Sequence, residues 1–395
     1  MDADIIIVGA GPSGCATAMG LADRGLEVLV LDRAAFPRDK VCGEGLMPHG
    51  VAALEALGLR ERLVQAGAQP FFGIAYHDGA RRAEGRFPEV QGFDHGLALR
   101  RLHMDPIFQE AAASRAEVRL HTEVEVTGFH VEEDGVRVES AMGTLEARAL
   151  VGADGLNSMI RRKLGLRMSP AGRPRYGARL HLQLAAGRAG PELVEVHLGE
   201  GSEVYLTPVG EGLVNLAFLC EKEVSATLGG DLEGGLLRLA GDCASLETWL
   251  EGSEVISEAM LTGPLRQTVK DIVSDRTLLV GDAAGFLDPI TGEGLSVALA
   301  HAGLAARVLA EALPDGATEA LLRPYAEGLA VALKDPLRLT ELILWWVHQP
   351  MLRGYVVENL ARNPEVFSTL LAVLAGSATV SEVALADLRK LVLRY

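Results

Sequence analysis

Several things that this 395-residue sequence has little of narrow its function before any motif is considered. Its four cysteines, Cys15, Cys42, Cys220 and Cys243, are far apart and form no CxxC or Cys/His pattern, so neither a disulfide framework nor a metal site is expected. Lys and Arg number 37 against 53 Asp and Glu, and this net charge of −16 argues against nucleic acid as a partner. Low-complexity tracts and fixed-period repeats are absent, which excludes disordered and solenoid classes.

The sequence also lacks a long hydrophobic run. Its most apolar stretch, Leu342–Val347, ends at His348 and is shorter than the ~20 residues of a membrane span. Strand-like residues from Asp4 leave no room for a signal peptide, so a reduced, cytoplasmic protein is expected. From Arg323 onward acidic and basic residues nearly balance and Leu, Val, Trp and Phe are frequent. That pattern predicts a helical layer packed on the body, with peripheral membrane or lipid contact as the alternative.

What is present begins with a strand, a glycine turn, a helix and a second strand ending in an acid. The run Asp4–Val8 is typical of a strand buried on both faces of a parallel sheet, and Glu27–Leu31 is the next strand. Between them stands Gly9-Ala-Gly11-Pro-Ser-Gly14, followed by a predicted helix over Cys15–Arg24. Gly9 would permit the tight turn, Gly11 the approach of a pyrophosphate and Gly14 close helix packing, while Asp32 could bind a ribose. The unit therefore predicts a dinucleotide site.

Two later segments bear on which dinucleotide binds. The first is Ala149–Arg161, in which an apolar strand delivers Asp154-Gly155 to a turn and Ser158 could cap a helix carrying Arg161. The second is Thr277–Gly294, in which a strand ends at Gly281-Asp282, a Gly/Pro-rich loop follows and a helix begins near Leu295.

The three motifs together, up to about Leu313, resemble the superfamily of FAD-dependent aromatic hydroxylases (group A flavoprotein monooxygenases) and geranylgeranyl reductases. The resemblance implies an α/β fold with a Rossmann-type FAD-binding domain, an inserted antiparallel-sheet substrate domain and a C-terminal helical region. It implies FAD as cofactor, NADH or NADPH as reductant and no separate nicotinamide-binding domain. The predicted division is 1–70, 100–170 and 275–320 for the FAD domain, 71–99 and 171–274 for the substrate domain, and 321–395 for the helical region.

The resemblance also assigns roles to residues. Asp282 would contact the FAD ribitol or pyrophosphate, the loop from Pro289 to Gly294 would pass the flavin, and Arg101, with Arg100 as the alternative, would touch FAD. The predicted FAD contacts are Gly9, Gly11, Pro12, Ser13, Gly14, Asp32, Arg33, Cys42, Gly43, Arg101, Val124, Asp154, Gly155, Gly281, Asp282, Pro289, Gly292, Gly294 and Leu295.

The segment Lys40-Val-Cys42-Gly43-Glu44 resembles a Lys-x-Cys-Gly stretch of the reductases that lies close to the flavin. Cys42, Glu44, Tyr205 and Pro289 are the predicted catalytic residues; the alternatives are a small buried hydrophobe for Cys42 and a cap or salt bridge for Glu44. No nucleophilic triad is present, and none is needed where flavin does the chemistry. His49, His95, His103 and His181 are candidate proton shuttles by residue type only.

Residues Pro70–Leu99 and Arg175–Lys270 alternate apolar and polar positions, which predicts half-exposed antiparallel strands. The resemblance implies that these strands form a sheet over the flavin. The reductases carry Tyr-x-Trp-x-Phe-Pro in this sheet, whereas here Tyr205 stands at the tryptophan position and Thr207 at the phenylalanine. The halogenase signature Trp-x-Trp-x-Ile-Pro is absent too. The expected substrate cavity is apolar, with Phe71, Phe72, Tyr205, Phe218, Trp345 and Trp346 as candidate lining.

These departures favour an NAD(P)H-dependent monooxygenase that uses O₂ to hydroxylate an apolar or aromatic small molecule. The alternative is a reductase of double bonds in an isoprenoid or lipid, and a non-catalytic flavin- or lipid-binding protein is a remote third. The oligomeric state stays open at this stage.

Overall fold

The computed structural model describes residues 1–168 and 173–383. The strands are β1 (Ala3–Val8), β2 (Val28–Leu31), β3 (Gly45–Leu46), β4 (Gln69–Phe71), β5 (Gly73–Asp78), β6 (Arg81–Arg86), β7 (Gly96–Ala98), β8 (Val118–His121), β9 (Val126–Val131), β10 (Val136–Ser140), β11 (Gly143–Gly152), β12 (Arg167–Met168), β13 (Arg175–Gln183), β14 (Val194–Leu198), β15 (Ser202–Gly210), β16 (Leu213–Glu221), β17 (Glu254–Val255), β18 (Met260–Thr262), β19 (Thr268–Val269), β20 (Val273–Ser274) and β21 (Thr277–Leu279). The α-helices are α1 (Pro12–Ala22), α2 (Pro48–Ala56), α3 (Arg60–Gln65), α4 (Arg101–Ala113), α5 (Met159–Lys163), α6 (Lys222–Thr227), α7 (Leu232–Gly241), α8 (Glu247–Leu250), α9 (Gly294–Ala312), α10 (Glu319–Val347), α11 (Pro350–Arg362) and α12 (Pro364–Leu374).

The first sheet is built around parallel strands in the order β21-β11-β1-β2-β8, with β20, β10 and β9 added antiparallel at its margins. Helix α1 packs against α4 and α9. Because helices and the marginal strands cover the central strands, Ile5, Ile6 and Ile7 are fully buried, as the β-branched run predicts. The Rossmann-type part of the predicted fold class is confirmed.

The second sheet has the order β17-β13-β16-β15-β14-β5-β6, with β18 beside β13. All its pairs are antiparallel except β14 with β5. A three-stranded sheet, β3-β7-β4, and the pair β12-β19 complete the β-structure of the described residues.

The prediction of half-exposed strands throughout 175–270 is wrong in two respects. Residues Lys222–Leu250 contain α6, α7 and α8. Strands β13, β15 and β16 are buried at nearly every position. The reason is that buried side chains of the α7–α8 segment, such as Leu236 and Leu246, join one face of the sheet in a common core.

The C-terminal helical region is confirmed for the described residues: α10, α11 and α12 pack on one another, and α11 and α12 pack on β6. The ring of Tyr76 stacks on Phe367 at 5.5 Å and meets the edge of Trp346 at 6.2 Å. The last twelve positions of the predicted region, 384–395, and the first two of 171–274 lie outside the described residues. The three domain divisions stay predictions.

Among the described residues one helical segment, Gly294–Asp315, is long and apolar enough to cross a membrane by length and composition alone. Half of it is buried inside the protein, where α9 packs on α1, α2 and α10. A buried core helix can be equally long and apolar, so these two properties do not identify α9 as a membrane span.

Candidate FAD and substrate site

A cavity of about 790 Å³ opens between the two main sheets. It is bordered by all four predicted catalytic residues, Cys42, Glu44, Tyr205 and Pro289. Of the predicted FAD contacts it is bordered by Gly9, Gly11, Pro12, Ser13, Asp32, Arg33, Cys42, Gly43, Arg101, Val124, Asp154, Gly155, Gly281, Asp282, Pro289, Gly292, Gly294 and Leu295. The folded chain thus gathers segments that are up to 286 residues apart at one cavity.

Gly14 is the predicted contact that does not border the cavity. A Cβ at Gly14 would lie 2.0 Å from the Gly9 carbonyl oxygen, so this glycine permits α1 to pack on the turn. Gly9 has a φ of +113°, and a Cβ there would lie 2.2 Å from the Ala153 oxygen. Gly11 differs: the nearest atom to an added Cβ is 3.8 Å away, so that Cβ would enter the cavity.

Asp32 lies at the end of β2, and its carboxylate accepts a hydrogen bond from the backbone of the Gly9–Gly14 turn. Its Oδ2 accepts from the Ala10 N–H at 2.7 Å, and its Oδ1 accepts from the Ala34 N–H at 2.8 Å. Each carboxylate oxygen keeps a further lone pair, so the cavity side of Asp32 can still accept from a ribose hydroxyl.

Arg161 links the segment Ala149–Arg161 to the segment Thr277–Gly294. Ser158 caps α5 by accepting from the Arg161 N–H, as predicted. The Arg161 guanidinium donates to the carbonyl oxygens of Leu156, Asp282 and Ala283. Its fixed fork therefore locks the Asp154-Gly155 turn to the Gly281-Asp282 turn. Burial lowers the pKa of this arginine.

Three basic residues at the cavity were missed by sequence reasoning: Arg38, Lys40 and Arg162. Lys40 Nζ lies 3.2 Å from Asp282 Oδ2. Arg38 and Lys40 follow Asp32 closely in the chain, and basic residues near a glycine turn are a signal for phosphate. The end of the cavity where the phosphates are expected, called the phosphate end below, thus carries basic side chains although the protein is acidic.

Cys42 and Glu44 lie together at the centre of the cavity wall. Cys42 Sγ accepts from the Glu44 N–H at 3.3 Å. Glu44 is buried and has a φ of +63°, a conformation that disfavours side chains other than glycine. Its Oε1 accepts from the N–H of Arg101, and its Oε2 accepts from Asn215 at 2.8 Å and from His181 at 2.7 Å. Glu44 therefore caps α4 and organises the wall, the structural alternative that the sequence left open.

Of the two candidate arginines, Arg101 borders the cavity and Arg100 does not. The Arg101 guanidinium is paired with Asp105 through two bonds of 2.5 and 2.9 Å. Burial lowers its pKa, but Asp105 and then Cys42 outweigh this, so the net pKa is raised. Arg100 instead pairs with Asp39 at 3.1 Å.

Tyr205 belongs to a second buried network under the Pro289 turn. Its hydroxyl donates to Glu203 Oε2 at 3.0 Å and lies 3.3 Å from the Ile290 oxygen. Arg175 lies between Glu203 (2.5 Å) and Asp288 (3.1 Å). Burial and then Glu203 raise the pKa of Tyr205 well above its ordinary value.

Other predicted roles fail because the side chains lie elsewhere. His49, His95 and His103 do not border the cavity. Phe72 packs near His95, Trp346 packs on Tyr76, and Trp345 is 58% exposed. Sequence alone could not decide between Trp345 and Trp346, because the packing of α10 determines which of its faces turns inward. Phe71, Tyr205 and Phe218 do line the cavity.

The residues present fit FAD. Helices α1 and α9 both begin at the cavity, and neither N-terminus has a side-chain cap, so their N–H groups can receive phosphate or carbonyl oxygens. Asp154 Oδ1 is buried there without a hydrogen-bond partner. The cavity volume lies within the ~300–1,000 Å³ of cofactor and ligand sites.

The fold and this site define an FAD-dependent oxidoreductase. The chain belongs to the FAD binding domain family, whose profile matches residues 2–207 and 250–334. It is 31% identical to the menaquinone reductase of Mycobacterium tuberculosis over 86% of this chain and 84% of that one. It is 30% identical to digeranylgeranylglycerophospholipid reductase 1 of Methanopyrus kandleri over 85% and 88%.

Solved structures show the same fold. A flavoprotein/dehydrogenase from Cytophaga hutchinsonii superposes with a TM-score of 0.83 at 20% identity, covering 94% of this chain and 92% of that one. A flavin-dependent brominase superposes with the same TM-score and identity, covering 98% and 97%. The predicted superfamily is confirmed.

Proposed function

We propose that this protein is an FAD-dependent reductase that saturates a carbon–carbon double bond of an isoprenoid chain, with NADH or NADPH as reductant. The observation that carries the proposal is the uncharged wall opposite the phosphate end of the cavity. Strands β5, β13, β14, β15, β16 and β18 contribute Ile74, Gly177, Ala178, Val194, Val196, Tyr205, Thr207, Ala217, Phe218, Leu219, Met260, Leu261 and Thr262.

Such a wall suits an apolar chain and carries no charged side chain. It borders the same cavity as the FAD motifs, so an apolar substrate can reach the flavin without crossing solvent. The relatives at 30% identity or more are reductases by name, which supports reduction over oxygenation.

Bound FAD, when reduced, supplies hydride to such a bond. The Gly9–Gly14 turn, Asp32, Asp154 and the Gly281-Asp282 turn would hold FAD, and Arg38, Lys40 and Arg162 would lie near its phosphates. The uncharged wall orients the substrate and excludes water.

Saturation also needs a proton, and two groups at the cavity can hold one. Tyr205 is a poor donor because burial and Glu203 raise its pKa and because its hydrogen is engaged. Cys42 is half-buried and its Sγ accepts from the Glu44 N–H, so the thiol can still carry its own hydrogen. We assign the proton to Cys42 Sγ.

The monooxygenase that the sequence favours is the second candidate. The same uncharged wall would shield an oxygen-activating flavin from water. The two candidates share cofactor and reductant and differ in what the substrate gains.

The experiment supplies the FAD-loaded protein with NADPH or NADH, in air and under nitrogen, with a menaquinone or a geranylgeranyl lipid. The reductase predicts a product formed under nitrogen that is still heavier by two hydrogens after any quinol has been reoxidised in air. A product that gains one oxygen in air, with none formed under nitrogen, would establish the monooxygenase instead. If the nicotinamide is not oxidised with either substrate, the non-catalytic alternative remains.

The Cys42 assignment has its own control. Cys42→Ser should retain FAD and lose at least ~10-fold in kcat, since general acids contribute about 10²–10⁴-fold. Cys243→Ala, at a half-buried cysteine away from the cavity, should keep full activity. Equal activity of both variants removes Cys42 from the mechanism.

A lipid substrate makes contact with a membrane surface part of the proposal, for a protein that is otherwise cytoplasmic. Helices α10 and α11 expose Val331, Leu342, Trp345 and Met351. Vesicle co-sedimentation of the protein and of Trp345→Ser tests this: equal recovery with and without vesicles removes the membrane from the proposal.

A further inference from the structure

The substrate sheet carries a second cluster of chemically active side chains, on the face away from the cavity. Strands β5 and β14 run parallel, and their register places His77 directly beside His197. Val194 and Val196 face the cavity, so Glu195 and His197 point to the opposite side because neighbouring strand residues alternate. All three side chains are buried.

Their spacing matches metal coordination. Glu195 Oε2 lies 3.5 Å from His197 Nε2 and 3.7 Å from His77 Nε2, and the ligand atoms all lie within 4.8 Å of one another. In a tetrahedral site with bonds of about 2.0–2.1 Å, ligand atoms are separated by roughly 3.3 Å. The two carboxylate–imidazole distances need only a small contraction to reach that separation.

The two imidazole nitrogens that face Glu195 have no other partner in the described part of the chain. Nε2 of His77 and Nε2 of His197 are both buried and have no hydrogen-bond partner among the described residues. Buried polar nitrogens are almost always partnered, so two that face one carboxylate indicate a missing ligand.

A second layer of contacts orients the cluster. The outer nitrogen of His197, Nδ1, lies 2.6 Å from Ser245 Oγ, and the indole N–H of Trp249 donates to Glu195 Oε2 at 2.9 Å. Metal-bound histidines usually hold their other nitrogen in this way. Arg82, half-exposed, lies 3.8 Å from Glu195 Oε1 and forms the solvent side of the cluster.

We infer that His77, Glu195 and His197 bind a divalent transition-metal ion of the zinc type. Two imidazoles and one carboxylate suit such ions, and three protein ligands leave a position for water. The ion would tie β5 to β14 behind the uncharged cavity wall. Cysteine and histidine spacing in the sequence gives no sign of it, because the ligands meet only through strand pairing. The inference does not depend on the proposed function.

The test uses the FAD-loaded full chain, free of any affinity tag, after chelator treatment and desalting. Zn²⁺ is titrated in competition with a chromogenic chelator, and Co²⁺ is added separately to record its visible ligand-field bands. The variants are His77→Gln and His197→Gln. The control is His130→Gln, which removes an exposed imidazole that also lies 3.5 Å from a glutamate, Glu139.

The wild type and His130→Gln should each bind one equivalent of Zn²⁺, and both cluster variants should bind it at least ~100-fold more weakly. The flavin spectrum reports whether each variant is folded. If a cluster variant does not fold, the Co²⁺ spectrum of the wild type decides: intense bands support the site, and a weak octahedral spectrum overturns it. Equal Zn²⁺ affinity in wild type and cluster variants also overturns it.

Discussion

The carboxylate of Glu44 lies 2.7 Å from Nε2 of His181, although 137 residues separate the two in the chain. Both side chains are buried, and the contact joins the segment after the nucleotide-binding turn to strand β13 of the substrate sheet. Glu44 adopts a left-handed conformation that its hydrogen bonds must stabilise. A strained residue thus takes part in holding the FAD site against the substrate wall.

Two replacements of Glu44 distinguish the energetic cost of its left-handed backbone from the cost of losing its hydrogen bonds. Glu44→Ala and Glu44→Gly both leave His181, Asn215 and the Arg101 N–H without their acceptor, and we expect each to lose about 3 kcal/mol or more. Glycine relieves the left-handed strain, so Glu44→Gly should be about 1 kcal/mol more stable than Glu44→Ala. Urea unfolding measures both, and an alanine variant as stable as the glycine variant would show that the backbone there is unstrained.

The two glycines of the turn should respond differently to alanine. Gly11→Ala should fold normally but bind FAD at least ~10-fold more weakly, because its Cβ enters the cavity. Gly14→Ala should fail to give stable protein, because its Cβ would overlap the Gly9 carbonyl. Flavin titration and thermal unfolding distinguish these defects; wild-type FAD affinity in Gly11→Ala would place the phosphates elsewhere.

Removal of the Arg161 guanidinium should damage two motifs at once. Arg161→Met leaves the Leu156, Asp282 and Ala283 carbonyls unpartnered, and we expect a loss of about 3 kcal/mol or more together with weaker FAD binding. The stability and FAD affinity of Arg161→Lys should lie between those of the wild type and Arg161→Met, since an ammonium group cannot reproduce the forked guanidinium. Lys163→Met, at an exposed position of the same helix, is the matched control and should change neither quantity.

Acid stability should depend on His49. Burial, and then the neighbouring His301, lower the pKa of His49 from 6.5 to about 4. Between these values the unfolded chain takes up a proton that the folded chain does not, so stability falls as pH falls through this window.

His49→Gln lacks that uptake. Relative to the wild type, its free energy of unfolding should therefore rise by up to about 1.4 kcal/mol for each pH unit as pH falls from 6.5 to 4. His103→Gln, at an exposed histidine, should follow the wild type. Parallel curves for His49→Gln and wild type from urea unfolding would show that His49 titrates normally in the folded protein.

The FAD half of the molecule could be predicted from the sequence because its signals are local. Gly9, Gly14 and Ile5–Ile7 act within one strand–turn–helix unit, where steric and periodic requirements are visible in consecutive residues. The second and third motifs were predicted for the same reason, and Ser158 caps its helix as its position suggests.

The rest was decided by tertiary structure, because it depends on which distant segments meet. Glu44 becomes a buried cap only when β13 and β16 bring His181 and Asn215 to it, and Arg161 donates to the Asp282 carbonyl, 121 residues further along the chain. The exposure of Trp345 and the burial of Trp346 depend on how α10 packs, which two adjacent identical letters cannot reveal. By itself the sequence determined the nucleotide-binding turn and the class of cofactor. The cavity wall, the contacts of Glu44 and the His77–Glu195–His197 cluster arise because segments far apart in the chain meet in the folded protein.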